Sequence, residues 1–138
     1  MHNLEINPGE IKLSFKEPEP GRISFQNLGI NKDGLELKSG LMRLVIDLEG
    51  IGEHHFYSMP TIELAYNKNV AETHWQCDFN GETILDKFDH HGSKTIILID
   101  RSKIEKLQQH HQNKLILHGE FPEPVRIIPA DSSLTLFK

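Results

Sequence analysis

Nine histidines in a chain of 138 residues are the side chains with the widest chemical reach. Six of them form the adjacent pairs His54-His55, His90-His91 and His110-His111. Imidazole titrates between pH 5 and 8 and is the commonest metal ligand, so the pattern raises metal binding and pH sensing together. A zinc or iron centre on a β scaffold needs three or four imidazole or carboxylate ligands meeting at one point. Along a strand only residues i and i+2 point the same way, so each adjacent pair offers one ready ligand. The chain has no His-x-His and no His-Glu-x-x-His, the spacings that place two ligands side by side on a strand or a helix. A metal site would have to be assembled from distant elements. Its members would be His55, His74, His90, His91 and His118, with Asp89 as a ligand or an orienting carboxylate.

Other reactive types are present without the spacing that makes them a machine. Asp89-His90-His91-Gly92-Ser93 holds the components of a serine triad, but neighbours in a tight loop do not reach triad geometry. No Gly-x-Ser-x-Gly elbow accompanies them. The segment is expected to be a polar hairpin turn in which Gly92 supplies an unusual φ. Cys77, the only cysteine, follows His74 by three residues, which puts the two on opposite faces of a strand. It is expected to be a buried, inert thiol. His110-His111 falls where a helix should end, and its expected role is to meet the last carbonyls. Gly-rich phosphate loops are absent, and no local motif selects a catalytic carboxylate pair from the 20 acidic residues. The segment His54-His55-Phe56-Tyr57-Ser58-Met59-Pro60 reads equally as a binding loop, with His54, His55, Phe56 and Tyr57 as its candidate contacts, or as a strand entering the core. Together with Trp75 it would make an aromatic platform for a sugar or another small ligand.

The elements that must position these groups are mostly strands. Ile11, Leu13 and Phe15 alternate with polar residues, as do Met42, Leu44, Ile46 and Leu48, and Ile62, Leu64 and Tyr66. Each run predicts a strand with one buried face. Asp33-Gly34 and Asn80-Gly81 are hairpin-turn dipeptides. A turn at Asn80-Gly81 sets Phe79 opposite Glu82, Cys77 opposite Ile84 and Trp75 opposite Asp86. It gathers Trp75, Cys77, Phe79 and Ile84 on one face and leaves Leu85 as a misfit. Thr95–Ile99 is apolar without alternation and predicts a strand covered on both sides. One short α-helix is predicted near 101–112, capped by Asp100 with Ile99 and Ile104 as a staple; Ser102-x-x-Glu105 is a competing cap. The fold expected is a mostly β, antiparallel β-sandwich, favoured over jelly-roll-like or closed-barrel arrangements, in a single domain over 1–138.

The net charge is −5 with histidine neutral. Protonating all nine histidines reverses its sign, which bears on solubility and association rather than on fold. The acidic balance and the lack of a Lys/Arg run argue against nucleic acid as the main partner. One cysteine allows no internal disulfide, and no stretch approaches the length of an apolar membrane span. The expectation is a cytoplasmic protein with no membrane partner. The reading that fits best is a small non-enzymatic β-sandwich binding protein of adaptor, inhibitor or immunity type. It would act through a protein partner or as a homodimer, with no catalytic residue and no cofactor. A His-ligated zinc or iron enzyme and a carbohydrate or small-ligand module are the alternatives.

Overall fold

Thirteen strands and one helix are laid down in the computed structural model, which describes residues 2–109 and 111–138. In chain order they are β1 (His2–Asn7), β2 (Glu10–Phe15), β3 (Ile23–Ser24), β4 (Glu36–Leu37), β5 (Leu41–Leu48), β6 (Phe56–Ala65), β7 (His74–Phe79), β8 (Glu82–Thr83), β9 (Leu85–His91), β10 (Lys94–Ile99), α1 (Arg101–Leu107), β11 (Lys114–Glu120), β12 (Val125–Arg126) and β13 (Ser133–Phe137). One sheet has the order β1-β2-β5-β11-β7-β8 and the other β3-β13-β6-β10-β9, with β12 and β4 paired apart from both. The two large sheets pack face to face as an open sandwich. The pattern is antiparallel except that β2 runs parallel to β5, with Glu10 opposite Arg43 and Phe15 opposite Leu48. A parallel pair needs a long crossover. Residues 16–40 supply it by visiting the other sheet at β3 before returning.

The alternating runs bury the faces predicted for them. Ile11, Leu13 and Phe15, then Met42, Leu44, Ile46 and Leu48, then Ile62, Leu64 and Tyr66 all enter one continuous core. Val45 departs from the pattern: it lies on the outer face yet is buried, opposite Ile116 of β11. Rings pack at both ends of the sandwich. Phe15 and Phe56 each contact Phe137, at 5.3 and 5.2 Å between centroids. At the other end Tyr66 and Trp75 each meet Phe121 edge-on, at 5.3 and 5.6 Å.

The Asn80-Gly81 turn forms with both residues at positive φ, 51° and 89°, as the mirror-image hairpin turn requires. Phe79 faces Glu82 as expected, and the Ile84 amide donates to the Cys77 carbonyl at 2.8 Å. Trp75, Cys77, Phe79 and Ile84 are all buried. The expected pairing of Trp75 with Asp86 does not occur: β8 ends at Thr83, and the chain crosses to the other sheet, where β9 begins at Leu85. That crossing explains Leu85. It belongs to a new strand whose alternation starts afresh.

Three other expectations are corrected. Asp33-Gly34 is not a hairpin turn. It lies in a 3-10 turn, Lys32–Leu35, capped by the Asn31 side chain, which accepts from the Asp33 and Gly34 amides. The helix is capped by Asp100, whose carboxylate accepts from the Ser102 amide at 2.9 Å, but it stops at Leu107 rather than near 112. Two asparagines end it. Asn80 Nδ2 donates to the Leu107 carbonyl at 2.8 Å, and Asn113 Oδ1 accepts from the Gln109 amide at 2.7 Å. His111 thus lies beyond the helix, and His110 is outside the described residues. Finally, β10 is an inner strand between β6 and β9, but only Thr95, Ile97 and Ile99 are buried, while the opposite face is half-covered. Among the described residues no helix is long and apolar enough to cross a membrane.

Candidate functional site: a raised knuckle on β6

The register of β6 breaks where the sequence suggested a binding loop. Thr135 pairs with Thr61 and Phe137 with Phe56, so Leu136 alone stands opposite four residues, Tyr57–Pro60. On the other side the ladder with β10 ends at Thr61. Tyr57–Pro60 therefore pair with neither neighbour and rise out of the sheet as a wide bulge. Such bulges re-aim side chains that a regular strand would hold flat. Pro60 suits the place, because it has no N–H to lose from a ladder. Tyr57 is half-buried, Ser58 and Met59 are exposed, and Phe56 and Pro60 are buried beneath them. Met59, at 39% exposure, is one of two large hydrophobic residues exposed among those described; the other, Leu41, is on the far sheet.

Both flanks of this knuckle are tied down. Before it, Glu53–His55 form a 3-10 turn. The Gln108 carboxamide clasps Glu53 twice, accepting from its amide at 3.0 Å and donating to its carboxylate. Arg101 Nε donates to the Glu53 carbonyl at 2.8 Å, and the Lys138 amide donates to the His55 carbonyl at 3.0 Å. After it, the Thr61 hydroxyl donates to the Met59 carbonyl at 3.0 Å. The Gln108 contact holds the Glu53 carboxyl below its usual pKa. A polar cleft of 540 Å³ opens beside the turn, between His54 and the end of α1.

Of the four candidate contacts, His54 is exposed, with its ring centroid 3.9 Å from that of His55. Partial burial and the neighbouring His54 lower the pKa of His55. Tyr57 stands on the knuckle. Phe56 does not face outward: it is core, packed on Phe137. Trp75 is also removed from any platform. It is 8% exposed, its indole N–H donates to Thr73 Oγ1 at 2.8 Å, and its ring lies so close over Gly119 that a Cβ there would come within 2.4 Å. The sugar-binding reading loses its main residue. Ser58 and Met59 were in the candidate segment but not among its candidate contacts, and the Glu53–Gln108 clasp was not foreseen, because a bulge is decided by the partner strand.

Of the five histidines offered for a metal, His74 and His118 line one pocket on neighbouring strands, and the five do not meet at one point. His90 and His91 point to opposite faces of β9, His74 and His118 lie on the outer face of the other sheet, and His55 sits at the knuckle. Among the described residues no three His, Cys, Asp or Glu side chains are placed to hold a metal ion. His90 is committed to the fold instead. Its Nε2 lies 2.8 Å from the Val70 carbonyl, which can only accept, so the proton is on Nε2. Nδ1 then accepts from the Thr95 hydroxyl at 2.8 Å, and Thr95 Oγ1 accepts from the Tyr66 hydroxyl at 2.6 Å. Burial pushes the Tyr66 phenol well above its usual pKa. Gly92, at φ 63°, makes the hairpin turn between β9 and β10 with Ser93, as expected, but the turn is shorter than the triad-like segment: Asp89, His90 and His91 are paired residues of β9, opposite Ile96, Thr95 and Lys94. Cys77 is fully buried, and burial pushes its thiol up to about 12, far from nucleophilic. No protein-family model matches the chain, and no curated protein is significantly similar to it.

Proposed function

We propose that this is a non-enzymatic β-sandwich binding protein that docks a protein partner on the β6 knuckle. The observation that carries the reading is the register break at Tyr57–Pro60, which lifts Tyr57, Ser58 and Met59 clear of the sheet on flanks fixed by Glu53, Gln108 and Lys138. An aromatic ring and a methionine at the crest, with the polar His54 cleft beside them, match the make-up of a protein interface: an aromatic and Met-rich centre with a polar rim. Fixing the crest in advance lowers the ordering cost of association.

Photocrosslinking tests it. Tyr57 is replaced by benzoylphenylalanine, which keeps an aromatic ring at the crest, and Glu120 on the outer face of the other sheet is replaced in the same way as a control. The expected result is one discrete adduct from position 57 in extract of the native host and none from 120. An adduct with a second copy of this chain would make the partner a homodimer mate. No adduct from 57, or equal labelling from both positions, contradicts the proposal.

A further inference from the structure

A second concave surface lies away from the knuckle, at the other end of β6. It is a groove of 680 Å³, within the range of small-molecule sites. One wall is the segment Gly29–Lys32 and the other is Arg126–Ala130. Ile30, Ile128 and Pro129 give it an apolar floor, and Lys32 and Arg126 flank that floor. In a chain of net charge −5 the groove is lined by two cations and by no carboxylate. Arg126 has only a loose, exposed ion pair with Glu36, at 3.7 Å, and such pairs contribute little.

The walls are built before any ligand arrives. Gly29 takes a φ of 96°, which turns the first wall sharply. Asn31 is held by its cap on the Asp33 and Gly34 amides at 3.0 Å. The Gln26 amide donates to the Pro129 carbonyl at 3.3 Å and joins the two walls. Across the second wall, Arg126 exchanges two bonds with Asn67: its amide donates to Asn67 Oδ1 at 3.0 Å, and its carbonyl accepts from the Asn67 amide at 2.9 Å. The Ile128 amide donates to the Ala65 carbonyl, and the Ile128 carbonyl accepts from the Ser132 hydroxyl, both at 2.8 Å.

These bonds narrow the occupant. With the main-chain groups of Arg126 and Ile128 already paired, an extended peptide finds no strand edge there to join, so the usual mode of peptide capture is closed. What the lining offers a ligand is an apolar floor, two cationic side chains and the neutral carboxamides of Gln26, Asn31 and Asn67. We propose that the groove is a binding site for a small amphipathic carboxylate, its hydrocarbon or aromatic body on Ile30, Ile128 and Pro129 and its carboxylate between Lys32 and Arg126. The guanidinium suits a carboxylate through paired donors, and the lysine supplies a second, mobile charge.

The test is amide chemical-shift mapping and calorimetric titration of the intact chain with octanoate and 1-naphthylacetate, each set against its neutral carboxamide. Saturable shifts are expected at Gly29, Lys32, Asn67 and Ile128, with each carboxamide bound about tenfold more weakly or worse, the scale of a lost hydrogen bond to a charged group. Lys32→Glu reverses a charge on an exposed side chain, so the fold is left alone, and it should weaken the carboxylates by a similar factor while leaving the melting temperature unchanged. Arg126→Gln should act the same way. The proposal is overturned if carboxylate and carboxamide bind equally, if Lys32→Glu binds as the parent does, or if shifts fall elsewhere. It is equally overturned if the groove ignores both acids and takes only an acidic peptide, which would make it a partner's docking site.

Discussion

The knuckle and the groove lie at opposite ends of the same strand and are opposites in form. At the start of β6 the chain carries three residues more than its partner and presents a convex, uncharged crest. Just past the end of β6, Asn67 closes one side of a concave, cationic groove. Each stands on its own buried base. Under the knuckle, Phe56 packs on Phe137; beside the groove, Tyr66 bonds through Thr95 to His90. The difference teaches that a convex surface must be recognised by a partner large enough to wrap it, whereas a concave one can select a small ligand by charge.

Breaking the two bases should cost stability, and altering the two surfaces should not. The largest effect is expected from Phe56→Ala, a fully buried ring whose loss should cost about 3–5 kcal/mol in urea unfolding. Thr95→Val comes next. It strands the Tyr66 hydroxyl and His90 Nδ1 in the interior, for a loss of about 1–3 kcal/mol. If Thr95→Val is neutral, the hydrogen-bonded base of the groove end is not structural.

Acidification should act on the knuckle end. His55 has a lowered pKa in the folded state, so below about 6.5 the unfolded chain binds a proton that the folded chain does not. Stability is therefore level above that pH and falls as pH drops through it. The parent's urea midpoint should decline between pH 7.5 and 5.5, and His55→Gln should reduce the decline. An unchanged slope in His55→Gln would assign the effect to other groups. Smallest of all, Met59→Asp should shift stability by no more than about 0.5 kcal/mol, while removing partner binding. A large loss of stability would mean that Met59 is part of the core rather than a contact.

Sequence patterns exposed what was local and hid what was not. Trp75, Cys77, Phe79 and Ile84 were legible as one face because their spacing and the Asn80-Gly81 turn are contained in ten residues. Residues 54–60 were singled out as loop or strand; they are the end of a 3-10 turn and the start of β6, and Phe56 was taken for a contact because only the pairing with Phe137 shows that it points inward. The end of α1 was misjudged because Asn80 and Asn113, which capture its last turn, lie outside the helical pattern. The histidines drew attention by number, but convergence is a property of the fold: His74 and His118 share a face on neighbouring strands, while His90 and His91 lie in the other sheet, and among the described residues no third ligand completes a site. The groove was invisible in sequence because its walls are drawn from residues almost a hundred positions apart.

The central claim is that the crest of β6 is held rigid for a partner. Backbone 15N relaxation at Tyr57, Ser58 and Met59, compared with Ile62 and Leu64 in the regular part of the strand, tests it directly. Order parameters of about 0.85 at all five positions are predicted, as for rigid backbone. Values below about 0.6 at the crest, with the strand rigid, would make it a floppy loop and contradict the account.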